Sequence, residues 1–264
     1  MTTQLNTAIK ASIKAGQEIM QIYNDPDADF SIERKADNSP LTIADRASNA
    51  IIEALLKNTN LPILSEEGRD IAYSERKNWK RFWLVDPLDG TKEFIKKNGE
   101  FTVNIALIEN CKPIAGVIFV PVTKILYVGD IKVGAWKFQT DDTNTSFQLI
   151  REQGHKIPVE NKRNVYTIAG SRSHMNAETE EYVNQLKLKH RNIDMISSGS
   201  SIKICLVAEG LADEYPRFGP TMEWDTAAGH AIANAAGKKL WLTDFSGELK
   251  YNKENLLNPY FIVK

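Results

Sequence analysis

The run Phe82-Trp83-Leu84-Val85-Asp86-Pro87-Leu88-Asp89-Gly90-Thr91-Lys92-Glu93-Phe94 reads as a buried strand leading into a tight acidic turn. Phe82 to Val85 is apolar and rich in aromatic and β-favouring residues. Asp86 falls where that strand is expected to end. Pro87 fixes φ and lacks an amide donor, so regular ladder pairing is expected to stop there. Asp89-Gly90 is a turn signal in which Gly90 is free to take positive φ. Thr91 is then placed to cap a helix whose amides face the turn. An Asp-Gly pair alone is an ordinary turn. The full run sets two carboxylates and a hydroxyl around one bend, a set suited to Mg²⁺ and a phosphate.

On the N-terminal side, apolar positions recur at helical spacing over residues 5–23, up to the Asn24-Asp25-Pro26 stop. Phe30 to Lys35 alternates like a short strand, and residues 36–40 form a polar loop. A second helix starts with Thr42 as its N-cap and is expected to bury Ile43, Ala47, Ala50, Ile51, Ala54 and Leu55. Pro62-Ile63-Leu64 delivers Ser65-Glu66-Glu67-Gly68, and residues 69–81 read as irregular. On the C-terminal side, apolar runs at 101–108, 114–120, 125–128 and 133–138 with short connections predict an antiparallel sheet. Residues 151–163 are polar, and a subdomain boundary is placed there, dividing 1–150 from 151–264. Beyond it strands and helices alternate: strands at 165–169, 193–196, 211–215 and 240–242, helices at 176–188, 201–208 and 223–236. Two sheets with helices on their faces make a layered α+β protein with two subdomains.

The chain has 264 residues, 42% hydrophobic and 25% charged, ordinary for a globular protein with a sizeable core. A net charge of −1 gives no basic footprint, so nucleic acid is not an expected partner. Cys111 and Cys205 are far apart and lack metal-site spacing, which favours a reducing, cytoplasmic setting. No basic-then-apolar leader opens the sequence, and no stretch reaches the roughly 18 apolar residues of a membrane span. Attachment to the inner face of the cell membrane stays open as an alternative to a free enzyme.

Five carboxylates stand out by position: Asp45, Glu66, Asp86, Asp89 and Asp225. Glu66 and Asp86 each follow an apolar run, and Asp225 opens the Ala-rich helix after Thr221-Met222-Glu223-Trp224. Taken singly, Asp45 is a solvated helix charge, Glu66-Glu67 a surface pair and Asp225 a cap. Bringing them together without cations costs free energy because like charges repel. Hard divalent ions with oxygen ligands remove that cost, and two of them about 3.5–4 Å apart clamp a phosphate and activate water.

Asp86-Pro87-Leu88-Asp89-Gly90-Thr91 resembles the first signature of the inositol monophosphatase superfamily of Mg²⁺-dependent phosphatases. Trp224-Asp225-Thr226-Ala227-Ala228-Gly229 resembles its second, and Glu66-Glu67 and Leu41-Thr42-Ile43-Ala44-Asp45 its two other acidic elements. The match runs from about residue 33 to 236. Within the superfamily the sequence is most similar to the 3′(2′),5′-bisphosphate nucleotidases of the CysQ type. Lys92-Glu93-Phe94 after Thr91, the loop from Lys35 to Thr42, and Gly219-Pro220-Thr221-Met222 before Glu223 carry that likeness.

The resemblance implies a sugar-phosphatase-like α/β/α/β/α sandwich. It implies one Mg²⁺ on Glu66, Asp86 and the Leu88 carbonyl, a second on Asp86, Asp89 and Asp225, and a third ordered through water by Glu67. Thr91 and Asp45 would orient and deprotonate the attacking water. The implied substrate is a small nucleoside bisphosphate, adenosine 3′,5′-bisphosphate (PAP), cleaved to AMP in sulfate assimilation, with the sulfated form (PAPS) a second substrate. Lys203 and Arg217 are the candidates for its other phosphate, and Gly90, Thr91, His174, Ser200 and Asp225 for further contacts. Ser200 and Lys203 are expected to share one helix face. His230 is read as packed or hydrogen-bonded. An inositol or sugar monophosphatase, and a non-catalytic metal and nucleotide sensor, are the competing readings.

Overall fold

The computed structural model describes residues 1–27, 30, 32–34, 40–159, 164–170 and 176–264. In chain order these form α1 (Thr2–Asn24), β1 (Glu33–Arg34), β2 (Pro40–Leu41), α2 (Ile43–Leu56), β3 (Ile63–Ser65), α3 (Tyr73–Arg76), β4 (Arg81–Asp89) and α4 (Thr91–Ile95). A meander follows: β5 (Thr102–Glu109), β6 (Lys112–Val120), β7 (Ile125–Asp130), β8 (Gly134–Gln139), α5 (Phe147–Gln153) and β9 (His155–Ile157). The remainder is β10 (Tyr166–Gly170), α6 (Ala177–Lys189), β11 (Ile193–Ser197), α7 (Ile202–Glu209), β12 (Tyr215–Arg217), α8 (Glu223–Ala235), β13 (Leu240–Leu242) and β14 (Phe261–Val263).

A seven-stranded sheet runs in the order β3-β4-β5-β6-β7-β8-β9, parallel only at β3–β4. Its strands alternate between two cores, as the period of two demands. Trp83, Val85, Val103, Ile105 and Val117 point to α1 and α2. Phe82, Leu84, Ala106, Ile108 and Ile118 point to α7 and α8. This double burial explains why β4 reads as a continuous apolar run rather than an alternating one.

The far side of α7 and α8 is covered by β12-β14-β13 and by β10 with β11, the two small sheets being linked by a bridge from Ile168 to Glu214. Helix α6 packs outside them through Val183 and Leu186 on Ile168. The layers are therefore α/β/α/β/α, as expected from the resemblance.

Helix α8 lies directly on the large sheet because two strand positions are glycine. A Cβ at Gly116 would sit 2.3 Å from the Ala228 carbonyl oxygen, and one at Gly129 2.7 Å from Ile232 Cα. Both contacts are to backbone, so neither can move aside cheaply. Gly116→Ala is expected to cost about 3 kcal/mol of stability. A urea midpoint unchanged from wild type would show that α8 shifts freely.

Five readings of the sequence are corrected. The face that α2 buries is Ala44, Asp45, Ser48, Ile52 and Leu56, with Ala50 and Ala54 exposed, because the polar Asp45 and Ser48 turn inward to the acidic turn. Strand β12 is Tyr215–Arg217 rather than 211–215, because Gly210 (φ 87°) ends α7 and Leu211 and Ala212 donate back to Leu206. Residues 69–81 contain the short helix α3, whose Arg76 is buried and donates to Asn252 Oδ1 and to the Lys253 and Glu254 carbonyls. Thr91 is the first helical residue of α4, not its cap; Gly90 at φ 94° holds the cap position. Ser200 stands before α7 at φ 53°, so it shares no helix face with Lys203.

Pairing does lapse at Pro87, as expected: Asp86 faces Asn104, and the ladder resumes only at Asp89 with Thr102. Strand β9 joins the large sheet, so that sheet extends into the polar 151–163 segment. His174, the first-named nucleotide-side histidine, and Lys35 to Ser39 of the nucleotidase-like loop lie outside the described residues.

Candidate active site

The site collects at the end of β3 and β4, where the ladder break frees backbone and side chains from sheet pairing. Asp86 is the central acid, 1% exposed, with one oxygen receiving the Leu88 amide at 3.1 Å. Glu66 follows β3, and its amide donates to the Val85 carbonyl at 3.1 Å, which pins it beside β4. Asp225 arrives from the first turn of α8, where it accepts the Met222 amide at 2.8 Å. Ligand oxygens of Glu66, Asp86 and Asp225 lie within 4.8 Å of one another. Burial, then the charges of Glu66, Asp89 and Asp225, push the Asp86 carboxyl well above the usual range. Burial and the Asp89 and Glu66 charges do the same to Asp225, against the pull of the Met222 amide.

An all-oxygen, anionic, partly buried set of this kind is unfavourable by itself and fits a hard divalent cation. Asp89 stands beside the triplet, with its Oδ2 accepting from Ser200 Oγ, the Ser201 amide and Asn104 Nδ2 at 2.5, 2.7 and 3.2 Å. The Leu88 carbonyl accepts Thr91 Oγ1 at 3.4 Å. Glu67 offers its carbonyl to Asn49 Nδ2 at 3.3 Å, while Asn49 Oδ1 takes the Ser65 hydroxyl at 2.7 Å.

Thr91 Oγ1 donates to Asp45 Oδ1 at 3.1 Å. The other oxygen of Asp45 accepts the Thr42 amide at 2.8 Å and the Thr42 hydroxyl at 2.6 Å. Helix capping thus fixes the carboxylate, since Asp45 is the N3 acid of the box that starts α2. One turn further along α2, Ser48 holds the Pro87 carbonyl at 2.7 Å, tying the helix to the acidic turn.

A cleft of about 160 Å³ opens over this turn. Asp89, Gly90, Ser200, Lys203, Arg217 and Asp225 are among its lining residues. Lys203 is only 5% exposed, and its ammonium donates to the Ser198 and Ser200 carbonyls at 3.0 and 2.7 Å. Burial lowers its pKa to about 8, even with Asp89 nearby. Arg217 donates to the Pro220 carbonyl at 3.1 Å, and its buried Nε has no partner among the described residues. His230 is buried away from the cleft, between Tyr251 Oη at 2.9 Å and Glu248 at 3.0 Å.

Sequence reasoning missed Ser48 and Asn49, which place the acids, and Thr102, Asn104 and Ser201, which surround Asp89. The signal for Thr102 and Asn104 was available: they are the polar interruptions, two residues apart, of an apolar strand.

Layers and acidic cleft together define a metal-dependent phosphatase. The chain belongs to the inositol monophosphatase family, whose model matches residues 1–260. That family depends on metal, in general Mg²⁺. The chain is 46% identical over 263 residues to the 3′(2′),5′-bisphosphate nucleotidase CysQ of Escherichia coli strain K12, covering 98% of each chain. It is 49% identical over 253 residues to the same-named protein of Salmonella typhimurium, covering 94% of each. The crystal structure of CysQ from Bacteroides thetaiotaomicron superposes with a TM-score of 0.93 at 53% identity, covering 100% of this chain and 97% of that one. Among the described residues, no helix is long and apolar enough to cross a membrane.

Proposed function

We infer that this chain is an Mg²⁺-dependent 3′(2′),5′-bisphosphate nucleotidase. It removes the 3′-phosphate of adenosine 3′,5′-bisphosphate, giving AMP and phosphate, and it accepts the 5′-sulfated analogue. In a cell this clears a by-product of sulfate assimilation. The observation that carries the reading is the cleft itself, whose lining combines Asp89 and Asp225, the latter shared with the Glu66-Asp86-Asp225 cluster, with Lys203 and Arg217. A substrate with phosphate at two ends of a ribose matches that polarity. The high identity to CysQ proteins over the full chain supports it.

Glu66, Asp86 and the Leu88 carbonyl would hold one Mg²⁺, Asp86, Asp89 and Asp225 a second, and Glu67 a third through water. Bound there, the ions neutralise phosphate charge and make water more acidic. The protein's own work is orientation and proton removal. Thr91 Oγ1, already aligned on Asp45 Oδ1, directs the attacking water and passes a proton to that carboxylate. Because Asp45 Oδ2 is held by two donors from Thr42, the proton-accepting oxygen is Oδ1. Gly90 lets the chain turn tightly beneath the phosphate, and helix α8 presents Asp225 at its N-terminal turn.

From the same cleft lining, Arg217 supplies a fork of donors to the 5′-phosphate. Lys203 shapes loop 198–200 and adds its charge, with Ser200 and His174 as further contacts. In this division residues 1–150 carry most metal ligands, and 151–264 the nucleotide contacts and Asp225.

Phosphate release from a substrate panel tests the assignment. The expected order is adenosine 3′,5′-bisphosphate far above inositol 1-phosphate. Arg217→Ala should raise KM for the bisphosphate about tenfold, or about 1.4 kcal/mol, while sparing kcat. Equal turnover of inositol 1-phosphate would assign the chain to the monophosphatases, and tight binding without turnover in Mg²⁺ would make it a sensor.

A further inference from the structure

Thr102 and Asn104 stand two residues apart on β5, so their side chains leave the same face of the large sheet. They are 0% and 1% exposed. Polar groups so buried need partners. Asn104 uses both ends of its amide. Nδ2 donates to Asp89 Oδ2 at 3.2 Å, and Oδ1 accepts from Ser201 Oγ at 2.9 Å. The amide cannot be turned over, because its oxygen would then face a carboxylate oxygen. Thr102 Oγ1 lies 2.7 Å from Ser200 Oγ and 2.9 Å from Ser201 Oγ.

Thr102 Oγ1 also donates to Asn104 Oδ1 at 2.9 Å, and with Ser200 donating to Asp89 and Ser201 to Asn104 or Thr102 every hydroxyl is satisfied. Asp89 Oδ2 then receives three donors and has no lone pair to spare. Only Oδ1 stays open to a cation. The three donors come from two distant parts of the chain, β5 and the residues just before α7. Ser200 is held at φ 53° there, and a Cβ on Gly199 would meet the Glu100 carbonyl oxygen at 2.7 Å, so loop 199–201 fits in one position.

We propose that Asn104, steadied by Thr102, is a positioning residue that ties loop 199–201 to Asp89 and couples nucleotide seating to cation binding. The proposal rests on the nucleotidase reading above. A nucleotide resting on the Ser200 and Lys203 wall fixes the donors that orient Asp89. A cation on Asp89 Oδ1 fixes the same loop in return, since such coupling is reciprocal.

Calorimetric titration of the full chain with Mg²⁺, with and without AMP, reads this without turnover. In wild type AMP should tighten Mg²⁺ binding. Asn104→Leu should weaken Mg²⁺ binding about tenfold, the usual scale for losing a residue that orients a metal ligand, and AMP should no longer tighten it. Thr102→Val should act in the same direction, and Thr102→Ser, which keeps the hydroxyl, should behave as wild type. A lower melting temperature in Asn104→Leu with Mg²⁺ affinity and AMP coupling intact overturns the proposal. Should Asn104→Leu fail to fold, equal Mg²⁺ affinity in Thr102→Val and wild type overturns it instead. A failed substrate panel beside a positive Asn104 result would remove the nucleotidase reading and leave the Asn104–Asp89 tie standing.

Discussion

Asp86→Asn is expected to abolish turnover and, in chelator, to raise the melting temperature. The loss should be at least ~10³-fold in kcat/KM, or about 4 kcal/mol of barrier. Asp86 is the carboxylate that both proposed cation sites share, and an amide there holds Mg²⁺ poorly. The gain in stability follows from the sign of the linkage. Burial and three neighbouring acids raise the folded carboxyl above its unfolded value near 3.8. Such a group contributes stability below the unfolded pKa and loses it as pH rises through the folded pKa. Above the folded pKa and without metal the wild type has lost that contribution, and Asn, which mimics the protonated acid, has not.

The difference should appear as a rise of about 2–4 °C per kcal/mol regained for a chain of this size. Saturating Mg²⁺ should reverse the order, because only the wild type gains binding free energy. Scanning calorimetry in EDTA and in Mg²⁺ gives both readings. Equal Mg²⁺-induced stabilisation of the two proteins would remove Asp86 from the metal site.

Asp45→Asn is expected to lower kcat by about 10²–10³ while leaving KM and the Mg²⁺ requirement close to wild type. The carboxylate lies outside the Glu66-Asp86-Asp225 triplet and holds the Thr91 hydroxyl at 3.1 Å. Asn keeps an oxygen for helix capping but cannot take a proton. Thr91→Val should lose a similar factor, Thr91→Ser much less, and Asp45→Asn with Thr91→Val little more than either alone, since the two act as one unit. Loss of the Asp45 cap costs about 1 kcal/mol at most, so a large fall in melting temperature would point to a structural role. Full multiplication of the two single losses would break the proposed relay.

Local chemistry made the acidic turn legible. Asp86, Asp89, Gly90 and Thr91 lie within six residues, and the turn that joins them is written in Pro87 and Gly90. The start of α2 was legible for the same reason, since Thr42 and Asp45 are cap and N3 acid of one box. What stayed hidden depends on contacts across the chain. Asn104 reads as a flaw in a strand until Asp89 and Ser201 are seen beside it. Lys203 reads as a free cation, but folding spends much of it on loop carbonyls. Arg76 reads as a surface charge, yet it is 2% exposed and anchors the C-terminal segment. The misplaced strand at 211–215 shows the same limit: an apolar pattern cannot reveal that Leu211 and Ala212 are consumed in closing α7.

Strand β14 lies between β12 and β13, though it comes last of the three in sequence. A growing polypeptide that has already emerged from the ribosome through α8 therefore owns every proposed metal ligand but still lacks the middle rail of the sheet beneath them. Until Phe261–Val263 slots in, Tyr215–Arg217 and Leu240–Leu242 lack the strand that both pair with. The stretch that carries Arg217 is thus completed from chain made well after it.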